Sequence, residues 1–238
     1  MSAGGGAATR PLVLLAGLMC DARLWGPQVE ALSPRHPLHL APITGRDTVG
    51  ALARQVLEGA PPRFALAGLS MGGIVAMEVL RRAPERVERL ALLDTNPLAE
   101  APEVAAAREG QMARVRAGGL EAVMRDELAP RYGVRGPPRA AVLDLVLAMA
   151  RALGPGVFER QSRALRARPD QTATLRGLAR PTLILCGEAD RLCPPERHEL
   201  MRALIPGSRL EIVAGAGHLP TLERPEATTA ALRRWLEA

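Results

Sequence analysis

The sequence predicts an α/β fold, a parallel sheet of six strands flanked by helices, with a helical stretch set between the fourth and fifth strands. Three observations carry that expectation. Short apolar runs alternate with segments of helical period, the pattern of a parallel sheet covered on both faces. A Gly-x-Ser-x-Gly string, Gly68-Leu69-Ser70-Met71-Gly72, lies between an apolar run and a helical segment. The acid and histidine that such a serine would need, Asp190 and His218, follow later apolar runs.

Leu12-Val13-Leu14-Leu15 reads as a central strand, apolar on both faces. It runs into the loop Ala16-Gly17-Leu18-Met19-Cys20-Asp21, after which Pro27 suits the first turn of a helix reaching Leu32. Leu38 to Ile43 is the second strand. Asp47 is placed to cap the next helix, whose Val49, Leu52, Ala53, Val56 and Leu57 form one apolar stripe. Phe64 to Ala67 is the third strand, followed by the glycine turn and a helix from Met71 to Ala83 that Pro84 stops. Arg89–Leu93, Pro181–Cys186 and Arg209–Val213 complete the sheet. A last helix begins near Pro225, with Leu232, Trp235 and Leu236 facing inward.

Residues 97–169 break the alternation. They are rich in Ala, Leu and Arg, lack a strand pattern, and are punctuated by Gly118-Gly119, Gly133 to Pro138 and Gly154-Pro155-Gly156. This divides the chain into a core of residues 1–96 and 170–238 and a helical insertion of 97–169.

Composition narrows the function classes. In 238 residues, 47% hydrophobic content suits one globular domain, whereas 2% aromatic content leaves a pocket to aliphatic side chains and methionine. The net charge is +6, and the sequence contains no lysine. The arginines are scattered among Glu and Asp without basic runs, so a solvated surface is expected and a nucleic-acid partner is not. Cys20, Cys186 and Cys193 have no metal-ligand spacing and cannot all pair, which points to a reducing cytoplasm. Met1 to Gly6 lacks a charged region followed by an apolar one and reads as a flexible tail rather than a secretion signal. No apolar run approaches the roughly 20 residues needed to span a bilayer, so no membrane role is expected.

The chemistry centres on Ser70. Strand, sharp turn and helix force such a serine onto a strained backbone with its hydroxyl exposed, and the helix N-terminus favours negative charge nearby. The hydroxyl needs a base. Of the four histidines, His218 lies in the glycine-flanked loop Gly215-Ala216-Gly217-His218 after the sixth strand. His36, His39 and His198 read as surface or packing residues. The imidazole needs an acceptor to fix its tautomer. Asp190, after the fifth strand, is preferred. Asp94, after the fourth, also comes within reach of the histidine but has a simpler role in a turn or cap, and Glu188 is a more distant candidate. The N–H groups of Met71 and Leu18 are the expected oxyanion donors.

The segments Leu14 to Trp25, Gly68 to Gly73, Gly187-Glu188-Ala189-Asp190 and Gly217-His218-Leu219-Pro220 resemble the oxyanion loop, nucleophile elbow, acid loop and histidine loop of α/β-hydrolases. The likeness runs from Arg10 through nearly the whole chain and is similar to compact bacterial esterases, among them the pimeloyl-ester carboxylesterases and 3-oxoadipate enol-lactonases. It departs from many relatives in having Ala16-Gly17 in place of His-Gly, and it is expected to lack the two antiparallel strands that precede the first parallel one in many of them.

The resemblance implies a serine hydrolase that cleaves a small-to-medium carboxylic ester or lactone through an acyl-enzyme, with no metal or organic cofactor. C–C hydrolysis, acyl transfer and cofactor-free perhydrolysis use much the same machinery. A non-catalytic binding protein is the alternative from another class, but it would be expected to have lost a member of the triad. The insertion corresponds to a lid. Val142, Leu143, Leu145, Val146, Leu147 and Met149 are its expected pocket-lining residues, with Cys20, Trp25 and Leu219 from the core. Arg125, Arg131, Arg135, Arg160 and Arg163 are placed to steer an anionic substrate or an acidic carrier protein, or else form a charged surface.

Overall fold

The computed structural model describes residues 10–134, 136 and 139–238. The expected N-terminal tail and Arg135 lie outside the described residues. Six parallel strands, β1 (Leu12–Leu15), β2 (Leu38–Leu40), β3 (Phe64–Leu69), β4 (Val87–Leu93), β5 (Thr182–Gly187) and β6 (Arg209–Val213), form one sheet in the order β2-β1-β3-β4-β5-β6. The first connection runs outward from β1 to β2, and the chain then returns to place β3 on the other side of β1. A crevice opens at such a reversal, beyond the carboxyl ends of the two strands.

Successive side chains of each strand point to opposite faces, so an all-apolar strand feeds two cores at once. Leu12, Leu14, Ala67 and Leu93 face a core shared with α1 (Gly26–Leu32) and α11 (Pro225–Glu237). Val13, Leu15, Leu66 and Leu92 face a second core, packed by α2 (Val49–Gly59), α3 (Met71–Arg82) and α9 (Pro195–Leu204). Several strand ends move from their expected positions: β4 already begins at Val87, and β5 is displaced by one residue to Thr182–Gly187. β2 stops at Leu40 because the chain leaves the sheet towards Pro42, which has no N–H to donate. β3 continues through Gly68 to Leu69, so the turn begins at Ser70, two residues beyond Gly68. The cap of α2 also shifts. Thr48, extended at φ −132°, accepts a hydrogen bond from Ala51 N–H at 3.2 Å in the role expected of Asp47.

Between β4 and β5 the described chain is helical. α4 (Pro102–Arg116) is followed by α5 (Leu120–Ala122), a π-helical turn at Val123–Leu128 and a 3-10 turn at Ala129–Tyr132. Then come α6 (Arg139–Leu153) and α7 (Pro155–Arg166). Two short helices, α8 (Thr172–Leu175) and α10 (Pro220–Glu223), fill out the remaining connections. No single described helix is long and apolar enough to cross a membrane. The three cysteines are buried free thiols.

Candidate active site

The carboxyl end of β3 delivers Ser70 on a backbone that few residues adopt, φ 55° and ψ −118°. A non-glycine residue there carries strain of about 1–3 kcal/mol, which neighbouring contacts must hold in place. Ser70 N–H donates to Leu93 O at 2.9 Å, and Ser70 O accepts from Thr95 Oγ1 at 2.7 Å. Two glycines make the turn sterically feasible. A Cβ on Gly68 would overlap the carbonyl of Gly72, and one on Gly72 would overlap the carbonyl of Leu15. The elbow therefore presses directly on the end of β1.

His218 Nε2 lies 2.9 Å from Ser70 Oγ, and His218 Nδ1 lies 2.8 Å from Asp190 Oδ2. Ser70, His218 and Asp190 thus form one hydrogen-bonded chain. The other carboxylate oxygen of Asp190 accepts from Leu192 N–H at 2.8 Å and Cys193 N–H at 3.0 Å. Burial would by itself raise the Asp190 carboxyl. The adjacent imidazole and these N–H groups outweigh it and hold the group below the ordinary carboxylate range.

Asp94, the competing acid, makes different contacts. It is fully buried at φ 44°, and one oxygen accepts from Gly187 N–H at 2.8 Å while the other has no partner among the described residues. Burial, followed by the charge of Asp190, pushes its carboxyl well above the usual value. A neutral acid that ties β4 to β5 fits these contacts, and it makes no hydrogen bond to His218. Glu188 accepts from Gly215 N–H at 2.9 Å and holds the histidine loop from outside.

Several residues that hold the site give little sign in the sequence. Tyr132 stacks on His218 with ring centroids 5.3 Å apart, and its carbonyl accepts from His218 N–H at 2.6 Å. Buried Glu223 accepts from Gly217 N–H at 2.7 Å and Leu219 N–H at 2.8 Å, bracketing the histidine. His198 is wholly buried: Nε2 accepts from Thr95 N–H at 3.1 Å, and Nδ1 is 3.3 Å from Pro194 O. These roles require a neutral ring, and burial lowers its pKa to about 4. His198 is the packing residue that the sequence suggested, placed under the serine turn.

The Ala16–Asp21 loop closes the other side. Met19 is at φ 54°, and its N–H donates to Gln161 Oε1 at 2.9 Å. Gln161, on α7, also donates from Nε2 to Ile43 O at 3.1 Å. Leu18 and Met71 both line the cavity that contains Ser70. Met71 N–H belongs to the first helical turn, where backbone donors have no helical acceptor.

That cavity measures about 320 Å³. Cys20 and Leu219 line it as expected, together with Leu69, Ile74, Leu98, Val104, Leu128 and Leu165. Trp25, Leu145 and Met149 are not on its wall, a correction to the expected pocket. Trp25 is buried beneath the loop after β1 and borders a second cavity instead. The sulfur of Met149 sits 3.4 Å from Asp21 N–H, and Leu145 packs into the core. None of the other α6 residues named as pocket-lining reaches the cavity either. Their stripe is used in packing, and α4 supplies the wall through Val104, Ala107, Arg108 and Gln111.

The expected arginines divide in the same way. Arg125 pairs with Asp126 at 3.1 Å and Arg163 with Glu159 at 3.3 Å, while Arg160 donates to Thr44 O at 2.9 Å. Arg131 alone among the described members of that set borders the cavity, where Arg108, Arg168 and Arg197 join it.

Comparison with known proteins agrees with this architecture. The curated relatives include a pimeloyl-[acyl-carrier protein] methyl ester esterase from Klebsiella pneumoniae (strain 342), 31% identical over 91% of this chain and 89% of the relative. Among solved structures, a thermophilic esterase from Thermogutta terrifontis is 31% identical with a TM-score of 0.87, covering 98% of this chain and 90% of its own. The enol-lactonase from Burkholderia xenovorans LB400 is 25% identical with a TM-score of 0.85, covering 99% and 94%. The profile of the alpha/beta hydrolase family matches residues 6–232, and the chain belongs to that family.

Proposed function

We propose that this protein is a serine esterase that hydrolyses a small-to-medium carboxylic ester or lactone, with Ser70, His218 and Asp190 as its catalytic triad. The observation that carries the reading is the unbroken Ser70–His218–Asp190 chain, at 2.9 and 2.8 Å, opening on a cavity. Ser70 Oγ attacks the carbonyl carbon while His218 Nε2 takes the hydroxyl proton. Asp190 holds the Nδ1–H tautomer and stabilises the imidazolium. Met71 and Leu18 N–H groups receive the developing oxyanion. The imidazolium gives its proton to the departing alcohol oxygen. Water then attacks the acyl-Ser70 carbonyl, with His218 again taking the proton, and the acid leaves as Ser70 recovers its own. No step requires a metal or organic cofactor.

The esterase and enol-lactonase relatives support ester chemistry over the C–C hydrolase, acyltransferase and perhydrolase alternatives. The complete triad argues against a non-catalytic binding protein. In this reading residues 97–169 act as a lid that shields the acyl-enzyme from bulk water. A relative acting on an acyl-carrier-linked ester makes an acidic carrier a fitting partner here. Three buried free thiols suit a cytoplasmic setting.

A fluorophosphonate probe tests the reading. The expected result is stoichiometric labelling at Ser70, loss of labelling in Ser70→Ala, and loss of ester turnover in the same variant. A folded protein that turns over esters after Ser70→Ala with undiminished kcat would overturn it.

A further inference from the structure

The charge around the cavity is unbalanced in a way that ester hydrolysis does not require. Arg108 and Arg168 converge on a single carboxylate, Glu100. Arg108 Nε is 2.7 Å from one Glu100 oxygen and an Arg168 terminal nitrogen 3.0 Å from the other. All three side chains are nearly buried, at 11%, 8% and 4% exposure. Buried charges are normally matched, because an uncompensated one is destabilising. Here two guanidiniums share one acid. Among the described residues their only other side-chain hydrogen bond is from Arg168 Nε to Leu98 O, which leaves terminal N–H donors of both free. Arg131 and Arg197 border the same cavity, and neither has an acidic partner among the described residues. Glu103 is the one further acid on the wall, and it is exposed. Burial lowers the Arg168 guanidinium from its ordinary value, and the neighbouring Arg108 and Arg197 act in the same direction.

We propose that this arginine-rich wall is an anion subsite, and that the substrate is an ester or lactone carrying a second, anionic oxygen group, a carboxylate or a phosphate. The inference rests on the esterase reading and names its substrate class. The leucine- and valine-lined part of the cavity takes the intervening chain, and Arg108 with Arg168 supplies the fixed, forked donors that suit such an anion. Arg197 and Arg131, being exposed, attract the anion on approach and complete its neutralisation.

Three matched methyl esters test this: methyl hexanoate, monomethyl adipate, and the methyl ester of an adipoyl group joined at its other end to phosphopantetheine. Turnover (kcat/KM) is measured on the unaltered chain, and binding by calorimetry on Ser70→Ala, so that selectivity is read even without turnover. At least one anionic ester is expected to be preferred over methyl hexanoate by about tenfold or more, the scale of a charge-assisted hydrogen bond. Preference for monomethyl adipate identifies a carboxylate, and preference for the phosphopantetheine ester a phosphate. Arg108→Gln is expected to bring the preference close to unity, Arg197→Gln to reduce it several-fold, and Arg125→Gln, on the outer surface, to preserve it. Should buried Arg108→Gln misfold, the exposed Arg197→Gln still decides. Equal binding and turnover of all three esters, or a preference that survives Arg197→Gln unchanged, would overturn the subsite. Hydrolysis without preference leaves the esterase reading standing, whereas anion-selective binding by a chain that never turns over does the reverse.

Discussion

Protonation of His198 should weaken the fold and the serine turn together, and the size of the effect follows from its contacts. An unfolded histidine titrates near pH 6.5, whereas in the fold burial lowers His198 to about 4. Between those values the unfolded chain binds the extra proton and the native one does not, so stability falls as the pH falls. The contribution is fully present above pH 6.5. About 2 kcal/mol of it is lost by pH 5 and about 3 kcal/mol by pH 4. For a chain of this size the loss at pH 5 corresponds to a drop in Tm of about 4–8 °C. The structural reason is local: a charged ring would set a second N–H against Thr95 N–H, whose residue also supports Ser70 O. The assay compares unfolding of wild type and His198→Gln from pH 7 to pH 4. The glutamine oxygen can accept from Thr95 but does not titrate. His198→Gln should lose less stability than wild type over this interval, by the amounts above. Parallel curves for the two proteins, or an NMR titration of His198 near 6.5, would refute the reasoning.

The assignment of the acid is tested by a pair of isosteric changes. Asp190→Asn should lower kcat about 10³- to 10⁴-fold by misplacing the histidine proton, while Asp94→Asn should stay within about tenfold of wild type, because an amide reproduces its bond to Gly187 N–H. Both are read as steady-state rates on one ester, and the reverse ranking would transfer the role to Asp94. Gly72→Ala should destabilise the protein by about 1–3 kcal/mol or prevent folding, since the new methyl meets the Leu15 carbonyl; urea denaturation measures this. Gln161→Ala should cost about 1–3 kcal/mol for each backbone group it strands, Met19 N–H and Ile43 O. In the same variant kcat should fall more than KM rises, because the loop expected to receive the oxyanion loses its tether.

Much of the sheet could be read because a strand buried on both faces must be apolar throughout, and few other local structures produce that run. β6 shows the limit of this rule. Only Val213 in it is buried, yet its span matched, since turn signals on either side bounded it. The grouping of Ser70, Asp190 and His218 was legible for a related reason: each lies in the chain just beyond the carboxyl end of a strand, and such ends in a parallel sheet converge. Tyr132, Gln161 and Glu223 were not, because each acts through a contact made only after distant segments pack. The pocket was misread because α6 carries an apolar stripe and α4 does not. A stripe shows that a helix is buried but not against what, and the cavity wall proved to be the more polar helix. The buried arginines escaped notice for the same reason, since scattered arginines read as surface until Glu100 draws two of them inward.

The bridge from Gln161 to both Met19 and Ile43 has a consequence for any attempt to re-engineer this scaffold. The helices between β4 and β5 look like a detachable module that could be trimmed or exchanged to change specificity. α7 is not detachable, because its glutamine secures the backbone expected to receive the oxyanion. A graft that replaces the whole stretch would carry away part of the reaction chamber along with its cover. Exchanges confined to α4, whose side chains form the wall, leave that foundation in place, and they are where new selectivity should be sought.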